Sequence, residues 1–185
     1  LSVALASPVV SSKTTVSTSF KYYDLRLHHA KSRRHISDEL NKKTPIVVEG
    51  KRFRGLANWK VNWNYKWQMG TDVCRIVDVS TSVNLTYTMP RAISLPRAEG
   101  LRRSYQGYYK ALLLHEQGHG DIAIQAARAI EVQLRKIRKH RNCDGISRSA
   151  DVKAREILRI YRAANRAYDR RTDHGFTQGV SIFQH

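Results

Sequence analysis

The alternation of apolar and polar positions predicts strands in the first half of the chain. Across residues 59–67 every odd position is large and apolar and every even position is polar, as in a strand with one buried face. Apolar residues alternate again within 74–89, most regularly after Val83, and turn residues around Gly70 separate the two segments. This pattern predicts an antiparallel hairpin. An aromatic, β-favouring segment at 20–25 predicts a further strand.

The second half of the chain has a helical pattern. Residues 97–140 contain no proline and are rich in Ala, Leu, Arg and Gln, which predicts one long helix or two helices that break near Gly107 or at 118–120. A final helix is predicted over 149–173, with Gly175 placed as its C-terminal glycine.

Shorter elements complete the predicted order. Ile36 and Leu40 favour an amphipathic helix over 32–43, and the proline after it would end that helix. Residues 45–57 are predicted to form a loop with a short extended piece, and 142–148 a turn. Because strands come first and helices second, we expect an α+β domain: a small antiparallel sheet, then a long helix, then a C-terminal helix.

The first residues are typical of a secretory signal. A short apolar run ends in Ala-Leu-Ala at 4–6, the small-x-small pattern of a cleavage site. We therefore predict a signal-peptide remnant or disordered lead-in over 1–15, one domain over 16–185, and a secreted or periplasmic location. In that environment Cys74 and Cys143 are expected to form a disulfide, the alternative being two buried thiols.

The net charge of +18, from 33 Lys and Arg against 15 Asp and Glu, restricts the partners of the protein. An anionic cell-envelope polymer or acidic substrates would suit it, and a solvated basic surface is the simpler explanation. We find no interleaved aromatic residues of the kind that stack on bases, so no specific nucleic-acid partner is expected. No apolar run approaches the roughly 20 residues of a membrane-spanning helix, so no such segment is expected.

A zinc-binding motif lies within the long predicted helix. His115 and His119 are four residues apart, so one helical turn brings both imidazoles to the same face, from which they can bind one Zn²⁺. Glu116 lies about 100° around the helix, beside such a metal, where it can act as general base. A catalytic zinc usually has three protein ligands and one open position, so a third ligand must come from elsewhere.

The sequence offers two candidates for that third ligand. Gln125 occupies the position at which a metzincin has its third histidine, and Asp121 lies about 200° around the helix from His119 and points away. Glu156, on the last helix, and His174, just after it, are both residue types that bind zinc. The residues alone leave the two open.

The motif and several other segments together resemble a bacterial domain-of-unknown-function family of predicted secreted zinc-dependent proteases. The position after His119 is often aromatic in that family, and Gly120 departs from this pattern. The resemblance implies a zincin-like α+β fold and favours His174 as the third ligand. It covers most of the chain and rests on these segments: His115–Ile122, Tyr22-Tyr23-Asp24, the strand with Trp59, Val61 and Trp63, Met89-Pro90, and Tyr168-Asp169 with Thr172 and His174-Gly175.

The function expected from these observations is hydrolysis of peptide or protein substrates by a metal-activated water, with Glu116 as base. Tyr168, Tyr109 and Arg171 are candidate donors to the oxyanion, and the edge of the Trp59 hairpin could hold an extended peptide. Two alternatives use the same residues differently. One is a non-catalytic zinc-binding envelope protein that holds anionic polymer, and the other is an amidase acting on cell-wall peptide.

Overall fold

The structure is a computed structural model that describes residues 13–137 and 141–185. Strands precede the two long helices, which confirms the predicted α+β class. In chain order the elements are β1 (Thr14–Arg26), α1 (Arg33–Lys43), β2 (Val47–Val48), β3 (Lys51–Arg52), β4 (Leu56–Met69), β5 (Cys74–Ser94), α2 (Glu99–Arg135) and α3 (Cys143–Thr172), followed by short 3₁₀ turns at Phe176–Gln178 and Ile182–Gln184.

The main sheet has three strands in the order β1-β5-β4. β4 and β5 pair antiparallel, which confirms the predicted hairpin, and the Gly70 N–H donates to the Val73 carbonyl in the turn between them. β1 pairs with β5 in parallel. The sheet is therefore mixed, and the expectation of an antiparallel sheet is wrong for this strand.

An irregularity in β5 explains why its apolar alternation changes along its length. The buried residues Val79, Val83 and Leu85 occupy odd positions, whereas the buried Cys74 occupies an even one. The pairing of β4 with β5 shifts between Lys66 and Trp67. Such a bulge inserts one residue into one strand, and it brings both ends of β5 to the same buried face.

The core lies where α2 packs across β4 and β5. α2 is one unbroken helix, and the small residues Ala123, Ala126 and Ala127 on its buried face allow close approach to the sheet. Gly120 lies against the Tyr87 hydroxyl, which occupies the space where a larger side chain would stand. The close contact between α2 and the sheet thus fixes the position of the helix that carries the predicted zinc motif.

α3 is joined to the sheet at its N-terminal end. Cys74 and Cys143 form the predicted disulfide, which links the start of β5 to the start of α3 across 69 residues of sequence. Trp63 Nε1 donates to Asp151 Oδ1 at 3.1 Å. A cross-link over a loop of this length stabilises the fold by about 4 kcal/mol in the chain-entropy description, and it holds the start of α3 next to the start of β5.

Two sequence-based boundaries need correction. The turn predicted at 142–148 is the first part of α3, because the Asn142 side chain accepts from the Gly145 N–H at 2.7 Å and caps the helix. The predicted lead-in over 1–15 overlaps β1, which includes Thr14 and Thr15, and residues 1–12 lie outside the described part. Among the described residues, no helix combines the length and apolar character needed to cross a membrane.

Candidate metal centre

The zinc motif lies on the buried side of α2. His115 and Glu116 are each 4% exposed and His119 is 7% exposed. The two imidazole rings lie 4.9 Å apart, centre to centre, and nearly perpendicular to one another. The helix therefore presents both histidines from adjacent turns to one small volume, as the four-residue spacing predicts.

Asp169 of α3 completes a three-residue group with these histidines. Its Oδ1 lies 3.4 Å from His115 Nε2 and 3.1 Å from His119 Nε2. One donor atom from each of the three residues falls within 4.8 Å of the others, and this is the one such group found among the described residues. Two helices thus bring three candidate metal-binding atoms together, with Asp169 lying 54 and 50 residues after His115 and His119 in sequence.

The opposite nitrogen of each imidazole is held by a side-chain amide. His115 Nδ1 donates to Gln178 Oε1 at 2.8 Å, and His119 Nδ1 donates to Asn165 Oδ1 at 2.9 Å. Because a carboxamide oxygen only accepts, both neutral rings carry their proton on Nδ1. Both Nε2 atoms therefore face Asp169, and in the neutral rings each has a free lone pair for a metal, which is how metal-binding histidines are commonly oriented.

The geometry of the three donors fits a small divalent cation. Tetrahedral zinc with donors at about 2.0–2.1 Å separates those donors by about 3.3 Å. The two distances from Asp169 Oδ1 to the histidine nitrogens, 3.4 and 3.1 Å, agree with that separation. Nitrogen and carboxylate donors are also the types that zinc binds.

Without a cation, hydrogen bonds connect Asp169 to the two histidines. Burial disfavours the charged form of His119, but hydrogen bonds with Asp169 and Asn165 outweigh it and raise the pKa of His119. Burial likewise opposes ionisation of Asp169, but hydrogen bonds from His115 and His119 hold the pKa of its carboxyl well below the ordinary value. The centre therefore keeps a negative oxygen beside two nitrogen donors.

Glu116 approaches this group from the side of the sheet. Burial raises the pKa of the Glu116 carboxyl, although His119, His115 and the backbone of Ala57 act in the opposite direction. Gly55 makes room for the carboxylate, because a Cβ at that position would lie 2.5 Å from Glu116 Oε1. The start of β4 thus holds Glu116 next to the histidines, in a dry environment.

Tyr168, predicted as an oxyanion donor, packs against both histidines. Its ring stacks on His115, with centroids 5.1 Å apart, and meets His119 edge-on at 4.9 Å. Its hydroxyl donates to the His115 carbonyl at 3.3 Å and accepts from Gln178 Nε2 at 3.0 Å. Of the other proposed donors, Arg171 lies over the Tyr168 ring.

The segment after α3 carries Gln178 back to the centre. Asp173 and His174 adopt left-handed backbone conformations with φ of 48° and 50°, and Gly175 follows with φ of 86°. A Cβ on Gly175 would lie 2.9 Å from His115 Cγ. Glycine is required here both for its backbone angle and for its close approach to a candidate ligand.

The structure does not bring either predicted third ligand into the three-residue group. His174 Nδ1 is 3.8 Å from Asp169 Oδ1, but its side chain is 58% exposed and packs near Phe53 at the rim. Glu156 is exposed and pairs with Lys153 at 2.7 Å. Asp121 is exposed on another face of α2, as predicted. The group that could hold a metal ion is thus His115, His119 and Asp169.

A family model described as "Bacterial protein of unknown function (DUF922)" matches residues 20–175. The chain belongs to this family. The matched region includes the second half of β1, all of α2 and α3 and all three members of the group, and it ends at Gly175 beside His115. No curated protein and no solved structure matches the chain. The family description assigns no activity, so the chemistry must be argued from the centre itself.

A groove of about 630 Å³ adjoins the centre at Tyr168 and Gln178. It runs between β1 and α2, and Phe20 and Leu114 in its walls are 42% and 58% exposed. Exposed apolar surface of this kind commonly marks a site of binding.

Removing the amide partners of the histidines should weaken metal binding without unfolding the protein. We expect Asn165→Ala and Gln178→Ala each to lower zinc affinity by about 10–100-fold, because the imidazoles lose their fixed orientation. Competition with a chromogenic chelator measures this. Asn165→Asp, which keeps the acceptor oxygen, should retain affinity, as should Gln125→Ala on the exposed side of α2. Equal affinities in all four variants would show that the amides do not orient metal ligands.

Proposed function

We propose that this protein is a zinc-dependent peptidase in which His115, His119 and Asp169 hold the metal and Glu116 is the general base. The observation that carries the proposal is the convergence of two oriented Nε2 atoms and one carboxylate oxygen beside a separate, buried carboxylate. A bound zinc ion would lower the pKa of a water molecule and polarise a substrate carbonyl.

The number of protein donors favours catalysis over a purely structural role. Structural zinc sites are normally closed by four protein ligands, whereas catalytic sites have three and one open position. Within the described residues the group has three members, and the Asp169 side chain is 27% exposed. This leaves access for a substrate from the side on which His174 and Phe53 form the rim.

Glu116 has the properties that proton transfer requires. Its carboxylate is not one of the three grouped donors, and burial raises its pKa towards the range in which a base both accepts and returns a proton. Ala57 and Gly55 restrict its movement. We infer that Glu116 takes a proton from the attacking water and returns it to the leaving amine.

The substrate class is inferred from the sheet edge beside Glu116. β4 is an outer strand of the described sheet, and it begins at Leu56, next to the Glu116 carboxylate. An extended peptide could add to such an edge through main-chain hydrogen bonds.

The disulfide supports a secreted or periplasmic location, since these bonds persist in oxidising environments.

A mixed peptide library tests the proposal. The metal-free protein, the zinc-loaded protein and the zinc-loaded protein with excess chelator are incubated with the library, and products are identified by mass spectrometry. We expect cleavage with the zinc-loaded protein alone. A folded, zinc-loaded protein that leaves the whole library intact would contradict the peptidase assignment.

A further inference from the structure

The surface of α3 that faces away from the core carries a row of arginines. Each residue of an α-helix turns by about 100° and rises by about 1.5 Å. These arginines therefore lie within about 40° of one line drawn along the helix surface, and they span about 33 Å of its length. The last five recur every three or four residues, so their Cα atoms rise by about 4.5–6 Å at each step. The row, called here the arginine row, consists of Arg148, Arg155, Arg159, Arg162, Arg166 and Arg170.

All six side chains of the arginine row are on the exposed surface. The buried residues Ile146, Ala150 and Ile157 occupy the other side of α3. The packing of this helix therefore does not depend on the arginine row. The arginines are available to a partner along the whole length of the helix.

The arginine row has little compensating negative charge. Asp151 lies 3.6 Å from Arg155, and Asp144 precedes Arg148 by about one turn. Glu156, which pairs with Lys153, also attracts Arg159, so three acidic residues lie near six arginines. Arg159, Arg162 and Arg166 form no ion pair with any described residue. A merely solvated helix face usually mixes charges of both signs, so an unbalanced row of one sign indicates attraction to an anionic partner.

The other long helix of the same chain lacks this arrangement. The exposed positions of α2 include Lys110, Gln117, Asp121, Gln125 and Arg128, which are mixed in charge. A generally basic composition would affect both helices alike. The concentration of arginine on α3 is therefore a local feature, and it goes beyond the net charge of +18.

The residue type and the shape of the row limit the chemistry of the partner. Guanidinium groups bind phosphate oxygens through paired hydrogen bonds, which favours arginine over lysine at phosphate-binding sites. A straight row follows a flexible chain along its length, whereas the backbone of a duplex winds away from a straight line. Tyr161 and Tyr168, the aromatic residues of α3, lie more than about 130° from the central line of the row, so no aromatic platform for bases accompanies it.

We propose that the arginine row binds a flexible, linear phosphodiester polymer through its backbone. Such a backbone occurs in phosphate-containing cell-envelope polymers, and the Cys74–Cys143 disulfide favours the oxidising environment in which these polymers lie. The row ends at Arg170, the neighbour of Asp169. Binding along α3 would therefore hold the protein on the polymer with one end of the contact beside the candidate metal centre. The inference does not depend on the peptidase assignment.

The test uses zinc-loaded protein and the triple variant Arg159→Gln, Arg162→Gln, Arg166→Gln. Its matched control has the same net charge and carries Lys42→Gln, Lys110→Gln and Arg128→Gln on the exposed surfaces of α1 and α2. Binding to poly(glycerol phosphate), to oligothymidylate and to an abasic phosphodiester oligomer is measured by fluorescence anisotropy across a series of salt concentrations. Circular dichroism and zinc content verify that each variant is folded.

We expect the wild type and the control to bind all three probes, and the α3 variant to bind at least about tenfold more weakly at low salt. The slope of log affinity against log salt should fall by about 2 in the α3 variant, since each single-strand phosphate contact contributes about 0.7. Poly(glycerol phosphate) should bind more tightly than the abasic oligomer, and the reverse would count against an envelope polymer as the partner.

Four results would overturn the proposal. If the control variant lost as much affinity as the α3 variant, the attraction would be diffuse net charge. If oligothymidylate bound far more tightly than its abasic counterpart, bases would be recognised. If duplex DNA or poly-glutamate bound more tightly than the phosphodiester probes, the partner chemistry would be different. If phosphatidylglycerol vesicles were the preferred ligand, the exposed Val152 and Ile160 beside the row would indicate a membrane surface.

Discussion

Glu116→Gln should reduce peptide hydrolysis by about 10²–10⁴-fold while leaving zinc bound, because the amide keeps the shape of the carboxylate but cannot accept a proton. The three grouped donors do not include Glu116, so metal affinity should not fall. The neutral glutamine also avoids the cost of burying a charged carboxylate, the same cost that raises the pKa of Glu116. The folded state should therefore be at least as stable as in the wild type.

The rate is measured with a peptide identified in the library experiment, and zinc is measured in the same preparation. Glu156→Gln is the control, because Glu156 is an exposed carboxylate on α3 that pairs with Lys153. It should retain full activity. If Glu116→Gln remained fully active, the general base would have to be another residue. If it lost its zinc, Glu116 would be a ligand.

Asp169→Asn should lower zinc affinity by more than about 100-fold, beyond the usual cost of losing a hydrogen-bond partner of a ligand. Its Oδ1 lies 3.1 and 3.4 Å from the two histidine nitrogens, so the change replaces a charged donor at the point of convergence. Asp173→Asn makes the same chemical change four residues later at an exposed position, and should leave the affinity unaltered.

His174→Ala tests whether the third ligand is Asp169, as the geometry favours, or His174, as the sequence predicts. The exposed His174 ring lies at the rim, so its removal should leave zinc affinity nearly unchanged. Isothermal titration with zinc in the presence of a competing chelator compares His174→Ala with Asp169→Asn. Loss of affinity in His174→Ala together with full affinity in Asp169→Asn would favour His174 as the third ligand after all.

Local sequence signals predicted the elements that carry the centre. The four-residue spacing of His115 and His119 places them on one face of α2, and alternation between 59 and 67 predicts β4 within a few residues. Both patterns repeat with the period of the element that contains them. The parallel pairing of β1 with β5 has no such signal, because strand direction depends on contacts distant in sequence.

The sequence did not identify Asp169, Asn165 and Gln178 as partners of the two histidines, because their proximity also depends on contacts distant in sequence. A chain with 15 acidic residues offers many carboxylates, and only the packing of α3 against α2 selects Asp169. One signal was present, since Asn165 and Asp169 are four residues apart and share a face of α3. The family resemblance favours His174 as the ligand, although the same segment contains Asp169.

Anomalous X-ray scattering at the zinc edge, from crystals of the zinc-loaded protein, tests the central claim most directly. The account predicts a single strong peak on α2, about 2.0–2.2 Å from His115 Nε2, His119 Nε2 and a carboxylate oxygen of Asp169, with a fourth position open to solvent. A zinc-loaded crystal with no peak between these residues, or with a fourth protein ligand closing the site, would contradict it.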